Sequence, residues 1–359
     1  MLRPYIILLG LSVILMSNAW SFERLFYLRR SSSTMELQQQ LENIKRHARQ
    51  IDIIGPQNYR LDEDGTLSGM VEPQLLALAG QEKIKVMPLV VNINVDQDKF
   101  HRFLHNPEAQ KKARLAMLDA CQKNHFYGWQ FDFENILVSD RKQFTQFFVD
   151  TAHLLKQHGF KISIASVPTL TDKGDSNLPY DRWKFTHWSG AYDNAALAKA
   201  ADFISIMAYD QHTTLTTPGP IASIAWVDPL LRNLLHEVPR NKLSLGIPSY
   251  SGYWTVGTAG PKTIPEQFQY RSRETQIGYK AVLKLLRKFE PEVIWSSEWQ
   301  SYYTVFTHHE KNEYLFIEDA HSFRSKLTLA RHYHLRGISV WRLGLEDPRS
   351  WRYLVKKRI

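Results

Sequence analysis

Three polar side chains, Gln130, Asp132 and Glu134, are spaced two apart in the otherwise apolar run Gly128-Trp129-Gln130-Phe131-Asp132-Phe133-Glu134-Asn135. In an extended chain successive side chains alternate between faces, so these three share one face while Trp129, Phe131 and Phe133 share the other. An ionised carboxylate is costly to remove from water, and two on one face raise each other's proton affinity. At least one of the pair is therefore expected to hold a proton near neutral pH. A carboxylic acid kept neutral is what a general acid needs to protonate a glycosidic oxygen. Taken alone, an Asp-x-Glu pair is also compatible with a solvated strand end or a structural hydrogen-bond network.

The elements that must position this run alternate in type along the chain. Leu37, Leu41, Ile44 and Ala48 fall at helical spacing over 35–50, followed by the apolar run 51–55, which reads as a strand. Helices are then expected over 73–81, 107–123, 141–158, 194–200, 221–236 and 319–334. Strands are expected over 85–92, 127–134, 161–167, 203–209, 242–247 and 337–341. With 25–28 as the first, eight strands emerge, and eight strand–helix units suggest a closed (β/α)8 TIM barrel of α/β class. No GxGxxG or Walker pattern follows any strand, which argues against a nucleotide-binding doubly wound sheet. The span 251–317 breaks the rhythm with a helix over 278–288 and strand-like pieces at 301–307 and 314–317. It is read as an α+β insertion after the seventh strand, rising from the C-terminal face of the barrel as a wall of a cleft. In such a barrel the aromatic face of 127–134 meets the helices. The polar face points inward, with Glu134 highest at the catalytic end.

The 359 residues carry 45 Lys+Arg against 36 Asp+Glu, a formal charge of +9, which suits contact with anionic polymers. The excess is scattered, without a basic run beyond the tail Lys356-Lys357-Arg358, and no nucleic-acid motif accompanies it. The 18 Phe, 16 Tyr and 10 Trp suit ring stacking on sugars as well as ordinary packing. Arg3, an apolar run from Tyr5 to Met16 and the small-residue site Ser17-Asn18-Ala19 have the layout of a signal peptide over 1–19, leaving 20–359 as the mature barrel. Export to the periplasm or medium is expected, with no stable membrane span after cleavage; an uncleaved anchor is the alternative. Cys121, the single cysteine, excludes internal disulfides and reads as a buried, inert side chain. The pairs His308-His309 and His332/His334 lack an HExxH pattern or a ligand triad, so neither a metal nor any other cofactor is expected.

The end of the acidic run resembles the D-x-x-D-x-D-x-E signature of glycoside hydrolase family 18. The resemblance continues in Met207-Ala208-Tyr209-Asp210, Leu245-Gly246-Ile247-Pro248-Ser249-Tyr250 and Gly337-Ile338-Ser339-Val340-Trp341, in family order at strand ends. The segments Ile53-Ile54-Gly55-Pro56-Gln57-Asn58-Tyr59 and Trp341-Arg342-Leu343-Gly344-Leu345-Glu346-Asp347 look most like the spore-germination, cell-wall-lytic branch. What the resemblance implies is a retaining hydrolase of β-linked N-acetylglucosamine glycans, chitin-like or peptidoglycan, in which the substrate's 2-acetamido oxygen is the nucleophile. Glu134 would be the proton donor and later the base, and Asp132 would orient the acetamido group. Tyr209 would hydrogen-bond its carbonyl. Met207, Asp210 and Tyr250 would line the same substrate-binding pocket, and Trp341 would form the floor. Two positions depart from the signature, Tyr127 and Gln130 standing where the family has Asp. Gln130 is expected to serve Asp132 as a neutral hydrogen-bond partner. Those losses also suit a catalytically silent lectin that binds N-acetylglucosamine. A further alternative is a hydrolase with Asp210 or Glu298 as a protein nucleophile.

Overall fold

The computed structural model describes residues 22–169, 179–256 and 272–355. The proposed leader 1–19 lies outside the described residues. Eight parallel strands form a closed barrel: Glu23–Arg29, Ile53–Gln57, a third in two pieces, Lys85–Val86 and Leu89–Asn92, then Gly128–Phe131, Lys161–Ser166, Phe203–Ile206, Leu243–Pro248 and Gly337–Trp341. The last strand pairs with the first in the register Glu23↔Gly337 to Phe26↔Val340, which closes the ring. The third strand is split where Pro88, lacking an N–H, cannot donate to the ladder. Its first piece pairs with the second strand at Ile53↔Lys85, and its second piece with the fourth at Leu89↔Gln130.

The expected strand and helix order is present, with the fourth and sixth strands shorter than expected. The fourth ends at Phe131 and the sixth at Ile206, so Asp132 to Glu134 and Met207 to Asp210 are irregular backbone beyond the strand ends. Elements absent from the sequence reading also form, including a hairpin of Tyr59–Leu61 with Leu67–Gly69 and helices Gln97–Leu104, which buries Phe100, Phe103 and Leu104, and Pro179–Lys184.

Two apolar layers hold the barrel. Outside, Trp129, Phe131 and Phe133 are fully buried, and Phe131 stacks on Phe147 with ring centroids 4.9 to 5.4 Å from its neighbours Phe133, Phe148 and Phe147. Inside, Leu25, Tyr27, Ile53, Met87, Leu89 and Phe203 form a separate cluster. Tyr127 packs against this inner cluster under Lys85, whose ammonium is 4.4 Å from the ring centroid. The first departure from the family signature is therefore a packing residue.

After the seventh strand the chain enters a five-stranded antiparallel sheet ordered Ser272–Gly278, Tyr250–Val256, Lys311–Ile317, Ser301–His308, Ile294–Ser296. Helix Tyr279–Phe289 covers it through Val282, which is buried with Phe306, Leu315 and Ile317. The sheet begins at Tyr250, one residue before the expected boundary, and its strand Ser272–Gly278 carries no clear sequence signal. No helix among the described residues is long and apolar enough to cross a membrane.

Candidate active site

A cleft of about 510 Å³ opens at the C-terminal ends of the strands, with Asp132, Glu134, Met207, Tyr209, Asp210 and Trp341 on its surface. Tyr180, Trp183 and Trp188 supply a further aromatic wall, and Gln276 reaches in from the insertion. Aromatic faces beside a few convergent polar groups are what a sugar-binding cleft needs.

Two backbone clamps aim the acidic pair. Asn92, at the end of the third strand, accepts from the Glu134 N–H at 3.1 Å and donates to the Glu134 carbonyl at 2.9 Å. Tyr192 donates its hydroxyl to the Phe133 carbonyl. These bonds take the place of a sheet ladder, so Glu134 is fixed although its strand has ended. Asp132 is 5% exposed, and its Oδ2 accepts from Gln57 Nε2 at 2.9 Å.

Burial pushes the Asp132 carboxyl above the ordinary carboxylate range, while the Gln57 bond pulls it back. Burial likewise raises Glu134, and the negative charges of Asp132 and Asp210 raise it further. Glu134, raised by burial and by two like charges, is the carboxyl suited to act as the proton donor.

Asp210 adopts φ 56°, a left-handed conformation that Asp tolerates better than most residues. Its Oδ1 accepts from the Tyr250 hydroxyl, and from Gln276 Nε2 at 3.3 Å. Burial raises its carboxyl too, against the hydrogen bond from Tyr250 and the charge of Lys184. Tyr209 stands beside Gly246, where an added Cβ would lie 2.3 Å from the Ile206 carbonyl and 2.9 Å from the Tyr209 ring. Only a glycine leaves that ring its place. Trp341 lies over Tyr27, centroids 5.7 Å apart, between the inner cluster and the cleft.

Two expectations and one alternative need correction. Gln130 is fully buried below the cleft, where its Nε2 donates to Ser163 Oγ at 3.0 Å and Ser205 Oγ at 3.1 Å. It joins a ring of hydroxyls, Ser205 to Ser339 at 2.8 Å and Ser339 to Ser244 at 2.7 Å, so the partner of Asp132 is Gln57 instead. Tyr250 is also fully buried, off the cleft surface, and acts on the site through Asp210. Glu298, the alternative nucleophile, lines a separate hollow with Trp226 and Trp299. Cys121 is buried, and burial pushes its thiol up to about 12, as an inert side chain requires.

The model for the glycosyl hydrolases of family 18 matches residues 31–346, most of the chain. The chain belongs to this family. It is a glycoside hydrolase on a TIM barrel. It is 26% identical over 314 residues to an uncharacterised glycosylase, YvbX, of Bacillus subtilis, covering 85% of this chain and 84% of that protein. A cortical fragment-lytic enzyme of the same organism is 24% identical over 328 residues, covering 87% of this chain and 70% of that one. The crystal structure of the Bacillus cereus spore cortex-lytic enzyme SleL superposes with a TM-score of 0.79 at 22% identity, covering 93% of this chain and 73% of that one. A chitinase from Chromobacterium violaceum gives 0.77 at 22% identity, covering 94% and 100%. Both likenesses concern the fold.

Gln57, Asn92, Lys184 and Gln276 were not read from the sequence. Gln57 and Asn92 end the second and third strands, at the pole where barrel sites form, and that position was the available signal. Lys184 and Gln276 sit on a short helix and an insertion strand that no sequence pattern announced.

Proposed function

We propose that this family 18 hydrolase is an exported enzyme that cleaves β-linked N-acetylglucosamine glycans with retention, using the substrate's acetamido group as nucleophile. The observation that carries this reading is the placement of Glu134 and Asp132 together on the cleft surface with Tyr209, Asp210 and Trp341. Glu134 lies among like charges that hold its proton, and Asp132 next to it is steadied by Gln57. In the first step Glu134 gives its proton to the glycosidic oxygen as the bond from that oxygen to the anomeric carbon breaks. The acetamido oxygen bonds to the anomeric carbon, and the resulting cation is balanced by Asp132. In the second step Glu134 takes a proton from water, which opens the ring at the same carbon and returns the acetamido group. Tyr209 holds the acetamido carbonyl from the cleft wall, and Trp341 lies beneath the sugar.

Peptidoglycan is favoured over chitin by the coverage of the cortical fragment-lytic relative and by the positive charge of the chain, since peptide-bearing wall glycans are anionic. A wall polymer also requires export, in line with the layout of residues 1–19. Digestion of peptidoglycan and of chitooligosaccharides by the purified protein, with products resolved by mass and the initial anomer read by NMR, tests this. The expected result is β-anomer release from an N-acetylglucosamine residue of peptidoglycan, faster than from chitooligosaccharides. Release of the α-anomer would contradict the mechanism, and exclusive action on chitooligosaccharides would contradict the substrate.

A further inference from the structure

On the rim of the barrel, away from the cleft floor, two imidazoles and a carboxylate converge from two loops. His101 lies on helix Gln97–Leu104 and His105 is the residue that caps its C-terminus, so the two are four apart and face the same way, rings 4.5 Å apart. Asp140 comes from the turn Val138–Asp140 after the fourth strand, just before helix Arg141–Gln157. His101 Nδ1 is 2.9 Å from both Asp140 oxygens, and His105 Nε2 is 3.1 Å from Oδ1. One ligand atom from each residue can be chosen so that all lie within 4.8 Å of one another.

The carboxylate is 2% exposed, yet the only ion-pair partners found for it among the described residues are these two imidazoles, which are charged only when protonated. A buried carboxylate normally has a permanent cation or several donors. The two histidine side chains are 45% and 44% exposed, so the open side of the cluster faces water and leaves an entry path. Bond lengths of 2.0–2.2 Å at a tetrahedral ion put ligand atoms about 3.3 Å apart, close to the two His–Asp separations present.

We propose that His101, His105 and Asp140 bind a divalent transition cation, zinc by preference, with water completing the shell. Two imidazoles and one carboxylate suit zinc, copper or nickel and disfavour magnesium and calcium, which take oxygen ligands. The cation would act as a brace. At its N-terminal end the same helix already touches the loop, Gln97 Nε2 donating to Asn135 O at 3.3 Å and Asn135 Oδ1 at 3.2 Å. Asn135 follows Glu134 directly, in a left-handed conformation at φ 55°. A cation on Asp140 fastens the far end of that loop, so residues 135–140 are held at both ends against one helix. Sequence reading misses the cluster because no contiguous motif joins His105 to a carboxylate 35 residues away.

The test uses untagged full-length protein stripped with EDTA and desalted, titrated with zinc chloride by calorimetry, with melting temperature followed in parallel and magnesium chloride as control. Expected are one zinc per chain, a melting temperature raised by several degrees at saturating zinc, and no response to magnesium. Each of H101A and H105A should weaken zinc binding at least tenfold, while H308A, in the other adjacent histidine pair, should bind as the parent does. Cobalt chloride gives a second readout, since a four-coordinate site with two imidazoles develops visible absorption that H101A and H105A should lack. No stoichiometric zinc binding would overturn the proposal and leave a hydrogen-bonded cluster only. Binding unchanged in both histidine variants would overturn it equally.

Discussion

Glu318 and Glu134 are both carboxylates drawn into the protein, one beneath helix Ala320–His332 on the outside of the barrel and one on the floor of the cleft, and their neighbours differ in kind. Glu318 accepts from Lys326 Nζ at 3.0 and 2.8 Å and from Ser322 Oγ at 2.7 Å. Burial raises its carboxyl, and the ammonium and hydroxyl work against that rise. Among the described residues no cation opposes the rise of Glu134, and Asp132 and Asp210 add to it. The first arrangement satisfies a charge and makes a joint between insertion and helix. The second leaves a proton waiting for an acceptor. A buried acid thus becomes reactive through what the fold withholds from it.

Breaking each member separates these roles. Glu134→Gln keeps shape and removes the proton, so turnover should fall by at least ~10²–10⁴-fold, measured on soluble glycan fragments, while binding survives. The same variant carries a pH signature. A carboxyl raised in the folded state stays protonated there while the unfolded chain ionises, so the parent loses stability as pH climbs above the ordinary carboxylate range near 4.3. The melting temperature of Glu134→Gln should therefore match the parent near pH 4 and exceed it increasingly toward pH 8. A constant difference would mean that Glu134 ionises as easily folded as unfolded.

Lys326→Ala should do the opposite, costing about 3–5 kcal/mol by stranding Glu318, with little change in turnover per folded molecule. Denaturant unfolding alongside activity checks this, and an unaffected stability would remove the contrast. Gln130→Asp puts an acid among serine hydroxyls below the cleft and should cost about 1–3 kcal/mol without reshaping the pH–rate curve. A broadened curve would show that this layer shares the catalytic proton. Gln57→Ala has the mildest expected effect. Without its donor Asp132 rises further, so the acidic limb of the pH–rate profile should move up by about one unit.

The alternation of polar and aromatic side chains in 128–134 pointed Asp132 and Glu134 to one side, and both line the cleft, although the pleat behind that reading stops at Phe131 and the Asn92 clamp holds Glu134 beyond it. The same parity put Gln130 on that face, below Asp132 and Glu134, but could not say which side chains its amide would meet there. Its amide proved to lie one layer down, with Ser163 and Ser205. Tyr250 shared a motif with the site, and only tertiary packing revealed that it stands behind Asp210. Gln57 and Asn92 were illegible for another reason. Single amides at strand ends become clamps only when a neighbouring strand brings Asp132 and Glu134 beside them. The insertion was legible as an interruption, since 251–317 breaks the strand–helix rhythm of the barrel.

The central claim is that the cleft supplies a proton and the substrate supplies the nucleophile. It is tested most directly by comparing kcat/KM for two otherwise identical oligosaccharides, one N-acetylated and one carrying a free amine at the sugar that would occupy the cleavage subsite. The account predicts turnover of the first and none measurable for the second, together with inhibition by a thiazoline mimic of the cyclised intermediate. Comparable cleavage of both substrates would contradict it, and would place the nucleophile on a protein carboxylate such as Asp210.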